Sequence, residues 1–198
     1  MSKSVWKKID EINKLQGIEG KWARYTYPFK FFSIYVLERL AYFSSSKKFR
    51  IMCYRKMGVN IGKDVFIGNY VVFDRIFPNK ITIGDHSSVG DYSIISAHAN
   101  IPMSTPIRQL YPRKVQPVKI GKGVWMMPHI IITPGVTIGD YSVIATGSVL
   151  IDNVPPMVMV AGVPATFKKD LSEKIKPHIS KKEYIKLIKI RKKMGYKD

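Results

Sequence analysis

One cysteine in 198 residues, Cys53, excludes an internal disulfide. The fold must therefore rest on packing and hydrogen bonds, as suits a reducing interior. Acidic residues are scarce, 14 against 33 lysines and arginines, for a net charge of +19. Long hydrophobic runs are also missing. The most apolar window, Phe29 to Phe43 (FKFFSIYVLERLAYF), is broken by Lys30, Glu38 and Arg39 and falls short of the roughly 20 apolar residues of a bilayer span. The opening MSKSVWKKIDEINK carries no apolar stretch of the kind a secretory leader needs. A cytoplasmic protein, not integral to a membrane, is expected.

So large a cationic excess points to nucleic acid, an anionic membrane surface or a polyanionic small molecule. The cations gather at the ends, from Lys168 to Lys197 and around Lys47, Lys48, Arg50, Arg55 and Lys56. They read either as solvated helix faces or as a patch in peripheral contact with the inner face of an anionic membrane. No recognition motif supports nucleic acid.

What is present is a repeat. From Ile61 to Leu150 a large apolar residue recurs every six positions: Ile61, Ile67 and Phe73; then Ile83, Val89, Ile95 and Ile101; then Ile120, Met126, Ile132, Ile138, Ile144 and Leu150. The next position is usually small, as at Gly62, Gly68, Gly84, Gly90, Ser96, Gly121, Gly139 and Ala145. A period of six fits neither an α-helix nor paired strands of period two. It suits a short strand and a corner, three of which close one triangular coil of a mainly β solenoid.

Helical extensions are expected at both ends. Val5, Ile9 and Ile12 form one stripe, and Tyr25 to Phe43 reads as a helix starting near Pro28. Its expected role is to cap the open end of the prism, with membrane contact as the alternative. Tyr184, Leu187, Ile188 and Arg191 share a face of a C-terminal helix. The expected division is an N-terminal helical cap over 1–58, the coil over 59–167 and a basic helical tail over 168–198. Prolines 102, 106, 112 and 117 force an extruded loop at about 101–117, because proline cannot donate to a sheet ladder.

The segments IGKDVFIGNYVVF, ITIGDHSSVGDYSII and VKIGKGVWMMPHIIITPGVTIGDYSVIATGSVLIDNVPPMVMVAGVPA resemble the hexapeptide-repeat acyltransferases over about residues 50 to 170. GVWMMPHIIITPGVTIGDYSVIATGSV followed by NVPPMVMVAGVPA is similar to the galactoside, maltose and polysaccharide O-acetyltransferase branch. The resemblance implies a left-handed parallel β-helix, a homotrimer, and acetyl-CoA as acyl donor to a sugar hydroxyl. It also implies a loop that reaches a neighbouring subunit's active site.

Transfer to a hydroxyl calls for a base, and histidine suits the task. Of His86, His98, His129 and His178, the resemblance selects His98, at the foot of the loop. The coenzyme contacts implied by the family are Trp125, Pro128, Thr146, Ile151, Asp152 and Thr166, with Lys168 and Lys169 meeting phosphates. Pro128 has no N–H, so another group must serve the thioester oxygen. Counting the loop within a unit that starts at Ile101 places His129 beside His98, for substrate contact or tuning. Asp74 stands at a small-residue position, where a carboxylate would orient the acceptor or the histidine. No metal is expected, because no H-x4-H pair exists for a zinc carbonic anhydrase. Rival readings are N-acetylation of an amino sugar, serine O-acetylation, and a non-catalytic scaffold on the same fold.

Overall fold

A small residue after nearly every large apolar one ends the strands after two or three residues and turns the chain. In the computed structural model, which describes residues 3–16, 23–99, 106, 110 and 114–196, these strands build three sheets. The first holds β1 (Asn60–Ile61), β4 (Ile81–Ile83), β7 (Val118–Ile120) and β10 (Thr137–Ile138). The second holds β2 (Phe66–Ile67), β5 (Ser88–Val89), β8 (Trp125–Met126), β11 (Val143–Ile144) and β13 (Val158–Ala161). An antiparallel β14 (Thr166–Asp170) closes its end. The third holds β3 (Val72–Phe73), β6 (Ile94–Ile95), β9 (Ile131–Ile132) and β12 (Val149–Leu150). Successive strands visit the three sheets in turn, so the chain winds as a parallel β-helix.

The two-residue strands alternate one side chain in and one out, and Ile67, Phe73, Ile83, Val89, Ile95, Ile120, Met126, Ile132, Ile138, Ile144 and Leu150 are all buried, with Ile81 and Val118 added where β4 and β7 run to three residues. The adjoining glycines lie against the next coil. A Cβ on Gly90 would stand 2.4 Å from the Met127 carbonyl carbon, too close for any side chain. Gly90→Ala is therefore expected to cost about 2–3 kcal/mol of stability. Gly147, with φ +72° and no atom within 4 Å of the place a Cβ would take, is the control; its alanine variant meets only the left-handed backbone cost of about 1 kcal/mol. Denaturant unfolding of the two variants side by side measures the gap.

The ladder corrects the expected register. Strand β4 pairs directly with β7, so the winding passes from Ile95 to Ile120 and leaves no rung for Ile101. Ile101 and most of the expected loop (101–105, 107–109 and 111–113) lie outside the described residues. The feet of the loop are described: His98 and Val115 form an antiparallel bridge, and the Gln116 N–H donates to the Ala97 carbonyl at 2.9 Å. Spacing in the sequence alone does not count the sides of the triangle between Ile95 and Ile120; the inter-coil pairing does.

Among the described residues three helices, not two, precede the coil: α1 (Lys3–Gln16), α2 (Ala23–Phe43) and α3 (Lys47–Met57). The second begins at Ala23, so Pro28 lies inside it rather than at its start. The missing N–H removes one bond, which the packing of Ile34 and Ala41 offsets. The third caps the prism. The first coil's carbonyls point towards it, and Arg50 donates to Ile67 O (2.9 Å), Tyr54 to Val71 O (2.9 Å) and Arg55 to Ile61 O (3.0 Å). At the other end α4 (Ser172–Ile175) leads to α5 (Lys181–Lys193), where Leu187 and Arg191 are buried. Helix α5 docks on the prism of its own chain, since Glu183 accepts from Tyr141 Oη (2.8 Å) and Lys122 Nζ (3.1 Å).

Candidate active site

The repeat is broken twice, and both breaks fall at the same corner. After β3 the chain takes four extra residues before β4, ending in a 3₁₀ turn at Pro78–Lys80. After β6, one coil on, it leaves at His98 for the loop. Phe73 pairs with Ile95, so Asp74 and His98 meet across adjacent coils although 24 residues apart. His98 Nδ1 lies 2.5 Å from Asp74 Oδ2.

Asp74 is fixed on every side. Its Oδ1 accepts from the Ile76 and Phe77 N–H groups, each at 2.9 Å, and its Oδ2 accepts also from the Ala97 N–H at 2.8 Å. The side chain is 1% exposed, against 9% for His98. Of the two roles expected for this carboxylate, the contacts place it on the histidine. Because a carboxylate only accepts, Nδ1 carries the hydrogen towards it. Phe77 meets the imidazole edge-on, with centroids 5.3 Å apart. The site opens on a cavity of about 420 Å³, lined by Phe31 of α2, Arg75, Ile76, Ile94, Ser96 and His98.

Burial alone pushes the Asp74 carboxyl up. The hydrogen bond from His98, the Phe77 N–H, the attraction of His98 and the Ala97 N–H outweigh it and hold the group below the usual carboxylate range. A depressed carboxyl stabilises the fold fully above its unfolded value of about 4 and loses that contribution as pH falls through its folded value. The stability gap between wild type and Asp74→Asn should accordingly be constant above about pH 4 and shrink below it. Urea unfolding across that range measures it.

The remaining predicted residues separate. His129 is not beside His98. It lies three residues past Met126, at the opposite edge of the third sheet, where its ring stacks on Tyr92 (5.1 Å) and Tyr92 on Tyr70 (5.3 Å). The reason is that β6 of the third sheet is followed directly by β7 of the first, which shifts the count by one side of the triangle. Pro128 and Thr146 stack on that same far edge, both exposed. Ile151 and Asp152 lie on His98's edge, two coils further on. Trp125 stands on the outer face of the second sheet in register with Val143, Met159 and Lys169; Thr166 and Lys168 share the strand of Lys169. His86 is an exposed corner residue 3.6 Å from Asp64, and His178 is exposed in the tail. Among the described residues no group of three or more His, Cys, Asp or Glu side chains could hold a metal ion. Phe31 and Phe77 escaped sequence reasoning; the only signal was the irregular ten-residue step that carries Phe77.

Residues 117–152 match the bacterial transferase hexapeptide family (six repeats). The chain is 32% identical over 127 residues to galactoside O-acetyltransferase of Escherichia coli strain K12, a stretch covering 64% of this chain and 60% of that one. It is 30% identical over 142 residues to WcaF of the same strain, a protein named for acetyl transfer in colanic acid biosynthesis, covering 64% and 77%. Among solved structures, a hexapeptide-repeat acetyltransferase of Vibrio cholerae O1 biovar eltor complexed with acetyl coenzyme A is similar with a TM-score of 0.64 and 26% identity, over 79% of this chain and 94% of that one.

Proposed function

Because the chain belongs to the hexapeptide-repeat acyltransferase family, in its sugar O-acetyltransferase branch, we propose that it moves an acetyl group from acetyl-CoA to a hydroxyl of a saccharide or polysaccharide precursor. The observation that carries the reading is the His98–Asp74 pair at the mouth of a cavity. Asp74 holds Nδ1 and so presents Nε2 as the nitrogen that takes a proton. Bound acetyl-CoA supplies the activated thioester. Nε2 of His98 removes the proton of the acceptor hydroxyl as its oxygen attacks, and returns that proton to the leaving sulfur; no covalent enzyme intermediate is formed.

The coil is left-handed in this reading, as in the family. The residues proposed for the coenzyme suit an elongated anionic ligand: Trp125, Val143 and Met159 form a lane on the second sheet that ends at Lys169, with Lys168 beside it. That lane is on a different face from His98 of the same chain, so a homotrimer, in which one protomer's lane meets the next protomer's His98, completes the site. Ile94, Ile131 and Ile151 are exposed on or beside the third sheet and give such an assembly apolar surface to cover.

The test is incubation with acetyl-labelled acetyl-CoA and a panel of saccharides, with sedimentation to read the assembly. Label on a sugar hydroxyl supports the reading. Label on an amine, or the lack of saturable acetyl-CoA binding, overturns it.

A further inference from the structure

Helix α2 buries one stripe and leaves the other bare. Ile34, Glu38 and Ala41 face the protein. Phe29, Phe32, Val36, Leu40 and Phe43 follow at steps of three and four, within an arc of about 80° on the opposite side. They are large and open to solvent: Phe29 is 78% exposed, Phe32 66% and Phe43 79%. Tyr25, at the start of the same arc, is exposed as well and touches Trp6 of α1. The stripe runs about 27 Å along the helix.

Its surroundings are cationic. Lys30 and Arg39 flank the stripe on α2, and the exposed Lys47, Lys48 and Lys56 lie on α3, which packs against it. From residue 23 to residue 57 the sequence has one acid, Glu38. That side chain is buried and held by Arg75 at 2.8 Å, so it offers no negative charge to a partner. No described helix is long and apolar enough to cross a membrane.

We propose that α2 docks on an anionic bilayer surface, with its aromatic stripe in the headgroup layer and the flanking cations on lipid phosphates. Aromatic and aliphatic side chains backed by lysine and arginine suit that interface, where apolar burial and charge attraction add. A soluble partner protein would need acidic groups around an apolar groove; a bilayer supplies a continuous anionic sheet that matches a 27 Å stripe of about uniform character. The inference extends the proposed function without depending on it. Phe31, on the opposite side of the same helix, lines the His98 cavity, so docking of the stripe brings that cavity within about one helix diameter of the headgroup layer.

The test is co-sedimentation of the full chain with phosphatidylcholine vesicles, with and without phosphatidylserine, at low and high salt. Wild type should pellet with the phosphatidylserine vesicles at low salt and less at high salt. The triple variant Phe29→Ser, Phe32→Ser, Phe43→Ser should bind them at least about tenfold more weakly, with unchanged thermal unfolding and unchanged acetyl transfer to a soluble acceptor. Equal pelleting of the two proteins overturns the proposal. So does a lack of vesicle binding, or a wild-type assembly that the triple variant breaks into smaller species, which would make the stripe a contact between copies of this chain. None of these results touches the labelled-acetyl assay, so the two readings fail separately.

Discussion

Replacement of His98 by alanine lowers turnover by about 10²- to 10⁴-fold, the range expected when a positioned general base is lost. The fold should tolerate the change. His98 stands at a corner rather than inside the prism, and its backbone bridge to Val115 does not depend on the side chain. Acetyl-CoA affinity should also survive, because the proposed coenzyme contacts Trp125, Lys168 and Lys169 come in the proposed trimer from the second sheet of the neighbouring protomer and keep their side chains. Turnover near the wild-type rate in a correctly assembled variant would remove His98 from the mechanism. A loss that appears only in coenzyme affinity would make it a binding residue instead.

Asp74→Asn is expected to cost roughly 10²- to 10⁴-fold in turnover, with little change in KM for the acceptor. The carboxylate satisfies four donors at once: the Ile76, Phe77 and Ala97 N–H groups and His98 Nδ1. An amide has one acceptor oxygen. If it serves Ile76 and Phe77, its NH₂ faces His98 and favours the tautomer with hydrogen on Nε2, which cannot take a proton. Asp74 is thus a positioning residue, and its variant should alter the pH–rate profile as well as the rate. A rate loss with the wild-type profile, matched by an equal loss of folded protein, would leave Asp74 only a structural part. The Glu variant is a further check: it keeps the charge but, one methylene longer, cannot hold the same four bonds, so only partial rescue is expected.

The hydrogen-bond pattern explains why the proposed base and its carboxylate sit where the solenoid is irregular. Within the regular coils, corner carboxylates such as Asp85 and Asp140 accept N–H groups from the coil before, Lys63 at 2.7 Å and, for Asp140, Lys122 at 2.9 Å. Buried serines bridge coils in the same way, Ser87 donating to Gly121 O at 2.7 Å and accepting from Val124 N at 3.0 Å. These groups are spent on the stack. At the corner of Asp74 and His98 the extra residues widen the turn, and a carboxylate is free to bind a side chain from the next coil.

Much of this was legible in the order of residues alone. The period of six and the small residue beside each large one dictated a three-sided solenoid, because only that geometry buries Ile67, Val89 and Met126 in one column while their glycine neighbours let coils touch. The prolines 102 to 117 pointed to an excursion, most of which lies outside the described residues, with His98 where it was expected to begin. The tertiary structure decided the rest. How many sides of the triangle lie between Ile95 and Ile120, whether His129 or Asp74 would be His98's neighbour, and that Arg50, Tyr54 and Arg55 would cap the first coil all depend on which coil hydrogen-bonds to which. Periodicity says which way a side chain points; it does not say which corner lies above it once residues have been inserted, because that contact is made between segments about 20 residues apart and is set by the ladder.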